Sequence, residues 1–364
     1  AAVAHVEAAW ERLPFAYRDA TLVALGERTY PVVVHDGAVD KDLVRAYAGA
    51  RTQLITDRNV AQYAGAYGPD AIAIEPGEAS KSFAVYEHLC EQLVARGLDR
   101  GSAIIALGGG VVGDLAGFVA ATLYRGIPVV QLPTTLVAMT DAAIGGKTAV
   151  DLPAGKNLVG AFHQPRLVAC GLATLATLPD RERRAGFGEL WKYALLDGPE
   201  LWALVDACAA WSAAGGERPA ELPEVIQRSI AYKAAIVGRD ERELTGHRAL
   251  LNLGHTIGHA IESDSGLHHG EAVALGLVAA CRVSSALLGT PSLEPEVTQA
   301  LRRSGLPHDL GPYLRDDVLA RVQVDKKRIG DKVRFVVVRE VGRCETAEIA
   351  ITELRRILRP DSGA

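Results

Sequence analysis

The densest chemistry in the sequence lies in its histidines. In the helix-compatible run LLNLGHTIGHAIES, over 250–263, Asn252, His255 and His259 fall at i, i+3 and i+7 and share one face. Two imidazoles at i and i+4 can close on one divalent metal, the geometry that H-E-x-x-H uses, although the intervening acid is absent here. His269 follows in HHGEAVALG, beside His268, and Glu189 in GFGELWKY offers a carboxylate from an earlier helix. One glutamate with two or three histidines leaves a position open for substrate oxygens, as a catalytic metal requires. An apolar face of Leu, Ile and Ala would otherwise leave each imidazole desolvated and unpaired, so a shared ligand is the economical reading. His5, His35, His88, His247 and His308 are read as ordinary surface or core histidines.

A second constellation suits anions. Gly108, Gly109, Gly110, Val111, Val112, Gly113 and Asp114 follow the apolar run 102–107 and precede a helical stretch over 115–122. Gly108, Gly110 and Gly113 match G-x-G-x-x-G in the strand, turn and helix context that gives it meaning: the glycines let backbone N–H groups approach a pyrophosphate. The motif lies well inside the chain, so this is not a dinucleotide fold opening on its first strand. Lys147 in GGKTAVD, Lys156 and Asn157 in PAGKNLVGAF, Lys192, Lys233, Arg248, Lys326 and Lys327 sit in apolar or glycine-rich surroundings. Such cations cost stability unless an anion meets them, and a phosphate plus a carboxylate would absorb several.

Positioning these groups takes two kinds of scaffold. TLVAL, YPVVVH, TQLIT, AIAIE, SAIIAL and PVVQLP are strand candidates separated by helical stretches such as 81–96, which predicts a mostly parallel α/β domain over 1–179. From Asp180 the helical period takes over, broken at Gly198-Pro199, at Gly215-Gly216 and around Gly289, which predicts a mainly α-helical C-terminal domain over 180–364 carrying the metal and substrate groups. The runs 332–340 and 345–354 read as strands closing the chain. A length of 364 residues with 49% hydrophobic content suffices for two cores. The net charge of -5 has no block of one sign, so neither a nucleic-acid footprint nor a polybasic membrane surface is expected. Apolar windows near 103–124 and 272–289 are interrupted by Asp114 and Arg282 and suit buried helices better than membrane spans. Five scattered cysteines without a C-x-x-C pair predict buried, reduced thiols in a cytoplasmic protein, and the acidic N-terminal stretch does not read as a secretory signal.

The stretch from GGGVVGDLAGF to GGKTAVDLPAGKNLVGAFHQP, with GFGELWKYALLDG, LLNLGHTIGHAIE and LHHGEAVALG, strongly resembles the dehydroquinate synthase family of sugar-phosphate cyclases over about residues 50 to 340. The resemblance implies a metal, normally zinc with cobalt as a substitute, held by Glu189, His255 and His269, with His259 beside it as a phosphate or proton-transfer neighbour. It implies an NAD site formed by Asp57, Asn59, Glu78, Lys81, Gly108, Gly109, Gly110, Val111, Gly113, Asp114, Thr134, Thr135 and Thr177, with Asp141, Lys147 and Lys156 also reaching the cofactor. Substrate contacts fall to Arg125, Asp141, Lys147, Lys156, Asn157, Lys192, Lys233, Arg248, Asn252, His259 and one of Lys326 or Lys327. Of these, Lys147, Lys192, Asn157, His259, Arg248 and Asn252 are expected to act in catalysis. Arg125 in YRGIP resembles an arginine that reaches into a neighbouring subunit's site, which implies a homodimer. The activity implied is conversion of 3-deoxy-D-arabino-heptulosonate 7-phosphate to 3-dehydroquinate and phosphate, by transient oxidation, phosphate elimination, re-reduction and aldol closure. Sister cyclases such as aminodehydroquinate synthase are the first alternative. A metal-dependent polyol dehydrogenase is the second, and a neutral polyol would give the embedded cations nothing to pair with. The chain departs from the family pattern by one extra residue between Lys233 and Arg248, by Gly171 in place of an aspartate, and by Ala142 and Ala143 in place of serines.

Overall fold

The computed structural model describes residues 2–68, 70–322, 328–329 and 331–359, so Lys326 and Lys327 lie outside the described residues. Its contacts divide the chain into two compact units, Ala1–Leu178 with Lys233–Arg242, and Pro179–Tyr232 with Glu243–Ala364. The return of 233–242 to the first unit is a feature that a single linear boundary does not contain.

In the first unit the six expected runs form β1 (Thr21–Val23), β2 (Tyr30–His35), β3 (Thr52–Asp57), β4 (Ile72–Ile74), β5 (Ala103–Gly108) and β6 (Val129–Pro133). Three further strands follow: β7 (Lys147–Leu152), β8 (Gly155–Phe162) and β9 (Leu167–Gly171). The main sheet has the order β1-β2-β9-β6-β5-β3-β4, and only β1 runs antiparallel to its neighbour. Strands β5 and β6 are buried along their whole length, as central parallel strands must be, which is why β5 reads as an unbroken apolar run and β6 is broken only by Gln131, whose buried amide donates to Gly113 O. Their side chains alternate between two cores: Ile105 and Leu107 enter one, Ile104 and Ala106 the other. From β4 at one edge the chain returns to β5 on the far side of β3 and then continues to β6 and β9. The carboxyl ends of β3 and β5 therefore flank the topological switch point, where doubly wound sheets open a crevice. The glycine run leaves β5 there, and the helix after it starts at Gly110, earlier than expected, because Gly113 N–H already donates to Gly109 O.

The second unit is built on the helices Asp180–Asp197, His255–Ser265 and His269–Leu288. The last is long and apolar enough to cross a membrane by length and composition, and 67% of its apolar window is buried. The helix expected over 250–263 is interrupted. A 3-10 helix, His247–Asn252, ends before Gly254, whose φ of 77° suits glycine, and the α-helix restarts at His255. Asn252 is therefore not on the histidine face. Strands β10 (Arg328–Ile329), β11 (Lys332–Glu340) and β12 (Arg343–Ala350) make a small antiparallel sheet. The run expected as a strand to 354 turns helical at Ile351–Leu358, where Ile351, Leu354 and Leu358 bury one face at helical spacing. All five cysteines are free; Cys170, Cys208 and Cys281 are buried as expected, whereas Cys90 and Cys344 are half-buried.

Two helices of this unit touch backbone to backbone. A Cβ added at Gly270 would stand 1.7 Å from Ala185 O, and one at Gly188 would stand 2.0 Å from Gly270 O. Glu189 and His269 are the chain neighbours of these glycines, so the close approach sets the spacing of the two side chains. Gly270→Ala is expected to cost roughly 3 kcal/mol by forcing the helices apart. It should also loosen any metal that Glu189 and His269 share, with a denaturant midpoint and metal analysis as the checks.

Candidate active site

Glu189 is fully buried in the Asp180–Asp197 helix. Its Oε1 lies 3.3 Å from His255 Nε2 and 3.1 Å from His269 Nε2, and its Oε2 lies 2.5 Å from Lys192 Nζ, also fully buried. His259, one turn beyond His255, is exposed and completes a group of three histidines whose ligating nitrogens all lie within 4.8 Å of one another. His268 pairs with Glu182 Oε1 at 3.1 Å and forms a capping box with Glu271, so His269 is the one of the two adjacent histidines that meets Glu189.

The donor set fits a divalent metal. Zinc–nitrogen and zinc–oxygen bonds of about 2.1 Å in a tetrahedron place neighbouring donors about 3.4 Å apart, close to the separations around Glu189 Oε1. His255 Nδ1 lies 3.0 Å from the Leu253 carbonyl, an acceptor that demands a donor there and leaves Nε2 with the lone pair. Burial would raise the Glu189 pKa, but the charges of Lys192 and His255 hold it well below the usual carboxylate range. Burial also lowers His255 despite the pull of Glu189. Burial opposes protonation of His269 as well, yet hydrogen bonds to Glu189 and Glu262 carry it up to about 10. Arg248, on the 3-10 helix, is buried, with Glu243 Oε1 3.5 Å from its Nε; Asn252 ends the same helix half-buried. Glu243 has a φ of 60°.

In the first unit Lys81 joins several of the expected residues. Its side chain is 4% exposed, and its Nζ lies 2.9 Å from Asp114 Oδ2 and 3.3 Å from Glu78 Oε1 and donates to Asn157 Oδ1. Burial disfavours the ammonium, but Asp114 and Glu78 outweigh it and raise the Lys81 pKa, so it stays charged. Asn157 itself is held in a left-handed conformation, φ 55°, by its N–H bond to Asp151. It lies with Lys156 on β8, and Lys147 opens β7; these segments, expected only as cation-bearing stretches, form an antiparallel hairpin. Thr134 N–H donates to Gly108 O, tying the ends of β5 and β6. The Thr135 hydroxyl accepts from Ala138 N–H at the start of a π-helical turn, Ala138–Ala142, that presents Asp141. Asp141 Oδ1 lies 2.9 Å from Lys233 Nζ, and both residues belong to the first unit. Asp57 ends β3 and accepts from Asn59 N–H at 2.8 Å. Arg125 is exposed and follows Tyr124, with φ values of 69° and 52°, a pair of left-handed non-glycine residues of the kind that stores strain.

Sequence reasoning missed two features. One is a cavity of about 200 Å³ at the carboxyl ends of β5, β6 and β9, lined by Leu107, Leu132, Pro133, Gly171, Tyr63 and Tyr67. Tyr63 bonds Thr177 at 3.1 Å, and the two tyrosines four apart were the signal. The other is Glu262, which accepts from His269 Nδ1 and lies three residues after His259.

Two family profiles cover adjoining parts of the chain, 3-dehydroquinate synthase N-terminal over 71–185 and 3-dehydroquinate synthase C-terminal over 186–328. The 3-dehydroquinate synthase of Caulobacter vibrioides (strain NA1000 / CB15N) is 45% identical over 345 residues, 88% of this chain and 92% of that one. The chain belongs to the 3-dehydroquinate synthase family. Its glycine loop, Lys81 cluster and hairpin fall in the N-terminal family region, and Glu189 and the three histidines fall in the C-terminal one. Solved structures of other cyclases share the fold of this 3-dehydroquinate synthase family member. A 2-epi-5-epi-valiolone synthase from Streptomyces hygroscopicus subsp. jinggangensis 5008, with NAD+ and Zn2+ bound, matches with a TM-score of 0.81 and 26% identity, covering 93% of this chain and 98% of that one. A 2-deoxy-scyllo-inosose synthase complexed with carbaglucose-6-phosphate, NAD+ and Co2+ matches with a TM-score of 0.79 and 26% identity, covering 94% and 99%.

Proposed function

We propose that the chain is an NAD- and divalent-metal-dependent carbon–oxygen lyase that converts 3-deoxy-D-arabino-heptulosonate 7-phosphate to 3-dehydroquinate and inorganic phosphate. The observation that carries this reading is the convergence of His255 Nε2 and His269 Nε2 on one buried oxygen of Glu189, with the Lys192 ammonium on the other. In this reading Glu189, His255 and His269 hold zinc, or cobalt in its place. NAD lies along the glycine run and Asp114, with Asp57, Asn59, Glu78, Lys81, Thr134, Thr135 and Thr177 around it. When bound, NAD supplies reversible hydride exchange and the metal polarises substrate oxygens.

The chain's own residues do the rest. Lys147, Lys156, Asn157, Arg248, Asn252 and one of Lys326 or Lys327 bind the substrate's phosphate and carboxylate. Charge that develops as phosphate leaves is met by cations already in place, which costs no reorganisation during the reaction. His259, exposed beside the ligand group, is placed to pass a proton to or from the phosphate. Lys192 holds Glu189 ionised, and Asp141 with Lys233 orients the substrate. Arg125, presented on its strained exposed turn, reaches the site of a second copy, making the active form a homodimer in the cytoplasm.

The test is phosphate release with NAD and zinc from three sugars: 3-deoxy-D-arabino-heptulosonate 7-phosphate, its 4-amino counterpart and sedoheptulose 7-phosphate. Release from the first alone, with 3-dehydroquinate identified by mass, is the expected result. Turnover of only one of the others would transfer the chain to a sister cyclase.

A further inference from the structure

The helix that carries His255 presents a second polar group on nearly the same face. Glu262 lies seven residues on, an angular offset of about 20° at 3.6 residues per turn. Its Oε2 is 3.0 Å from His269 Nδ1, and its side chain is only 14% exposed. The other nitrogen of the same ring, Nε2, is 3.1 Å from Glu189 Oε1. His269 is therefore held at both nitrogens, which fixes the ring's rotation. With a carboxylate at each nitrogen the ring carries a proton on both in the metal-free chain; a metal held at Nε2 would take the place of that proton, and the single remaining N–H would stay on Nδ1, where Glu262 accepts it. His255 is held by the same logic with a different acceptor, the Leu253 carbonyl. One short helix thus supplies a nitrogen from His255 and the group that orients the nitrogen from His269.

We propose that Glu262 is a positioning residue that sets the tautomer and orientation of His269, an inference that rests on the metal-site reading above. Its role is to pre-arrange Nε2, so its loss acts on metal affinity before it acts on turnover.

Zinc affinity of the purified full chain, measured by chelator competition, tests this with Glu262→Ala, Glu262→Gln and His269→Ala beside the wild type. Glu262→Ala is expected to weaken zinc 10- to 100-fold, the usual effect of removing a partner of a metal-bound histidine, while Glu262→Gln stays within about threefold because an amide oxygen still accepts the Nδ1–H. In the cobalt-loaded proteins the visible absorption bands should shift for the alanine variant and stay in place for the glutamine one, a response that a purely structural role would not give. Zinc affinity in Glu262→Ala within about threefold of wild type overturns the proposal, as does a glutamine variant as weak as alanine. If His269→Ala binds zinc as tightly as the wild type, the metal reading itself fails; if it loses zinc while Glu262→Ala keeps it, only the Glu262 inference fails. Should the alanine variant not fold, nitrogen NMR of the zinc-loaded wild type decides: a proton on His269 Nδ1 supports the proposal, and a proton on Nε2 overturns it.

Discussion

Glu189→Gln is expected to leave the protein nearly free of zinc and to reduce phosphate release by about a thousandfold or more. The carboxylate has no exposure, and each of its oxygens is engaged, Oε1 by two imidazoles and Oε2 by Lys192. An amide keeps the shape and removes the charge. It removes the charge that Glu189 sets against the buried Lys192 ammonium, a loss of the kind that costs about 3–5 kcal/mol when one partner of a buried pair is deleted. Metal content per chain, a denaturant midpoint and the phosphate assay read the three effects separately. His259→Ala is the informative companion: if His259 lies beside the metal and does not hold it, zinc remains bound while turnover falls. Full zinc content in Glu189→Gln would remove that residue from the ligand set, and zinc loss in His259→Ala would add His259 to it.

Much of this architecture was legible because burial writes itself into sequence. The central strands β5 and β6 are covered on both faces, so AIIALG and VVQLP could be read as strands with no long-range information. The β7–β8 hairpin was not legible, because β8 is mostly exposed and its glycines and cations interrupt any alternation. The histidine helix was misjudged at one residue. Helical period alone carries 250–263 through Gly254, and only the left-handed backbone at that glycine shows that Asn252 belongs to a separate turn. The group around Glu189 was reachable by motif, but its spacing was not. It depends on the glycine contact between helices some 80 residues apart, as the gap between Gly188 and Gly270 shows, and nothing local to either segment reports the other. Glu262 stayed hidden for a related reason: an acid three residues after a histidine is common on helix surfaces, and its meaning appears only when His269 arrives from the next helix.

Lys81→Met is expected to produce the largest loss in the first unit, and the reason separates two roles of one side chain. Lys81 is 4% exposed and 2.9 Å from Asp114, so its removal leaves a partly buried carboxylate without a counter-charge. The cost should be about 3 kcal/mol, or Asp114 should take up a proton instead. If Lys81 also meets the dinucleotide, the loss of a charge-assisted contact should weaken NAD binding by about thirtyfold or more. The double variant Lys81→Met with Asp114→Asn resolves the two, because the neutral amide no longer needs a cation and the stability term should largely return. NAD affinity should not return with it if Lys81 touches the nucleotide. Recovery of both quantities would mean that Lys81 acts only to neutralise Asp114 and that the glycine run with its helix N-terminus holds the pyrophosphate alone. Recovery of neither would mean that Lys81 acts chiefly through Asn157 and Glu78, the two contacts the double variant does not restore.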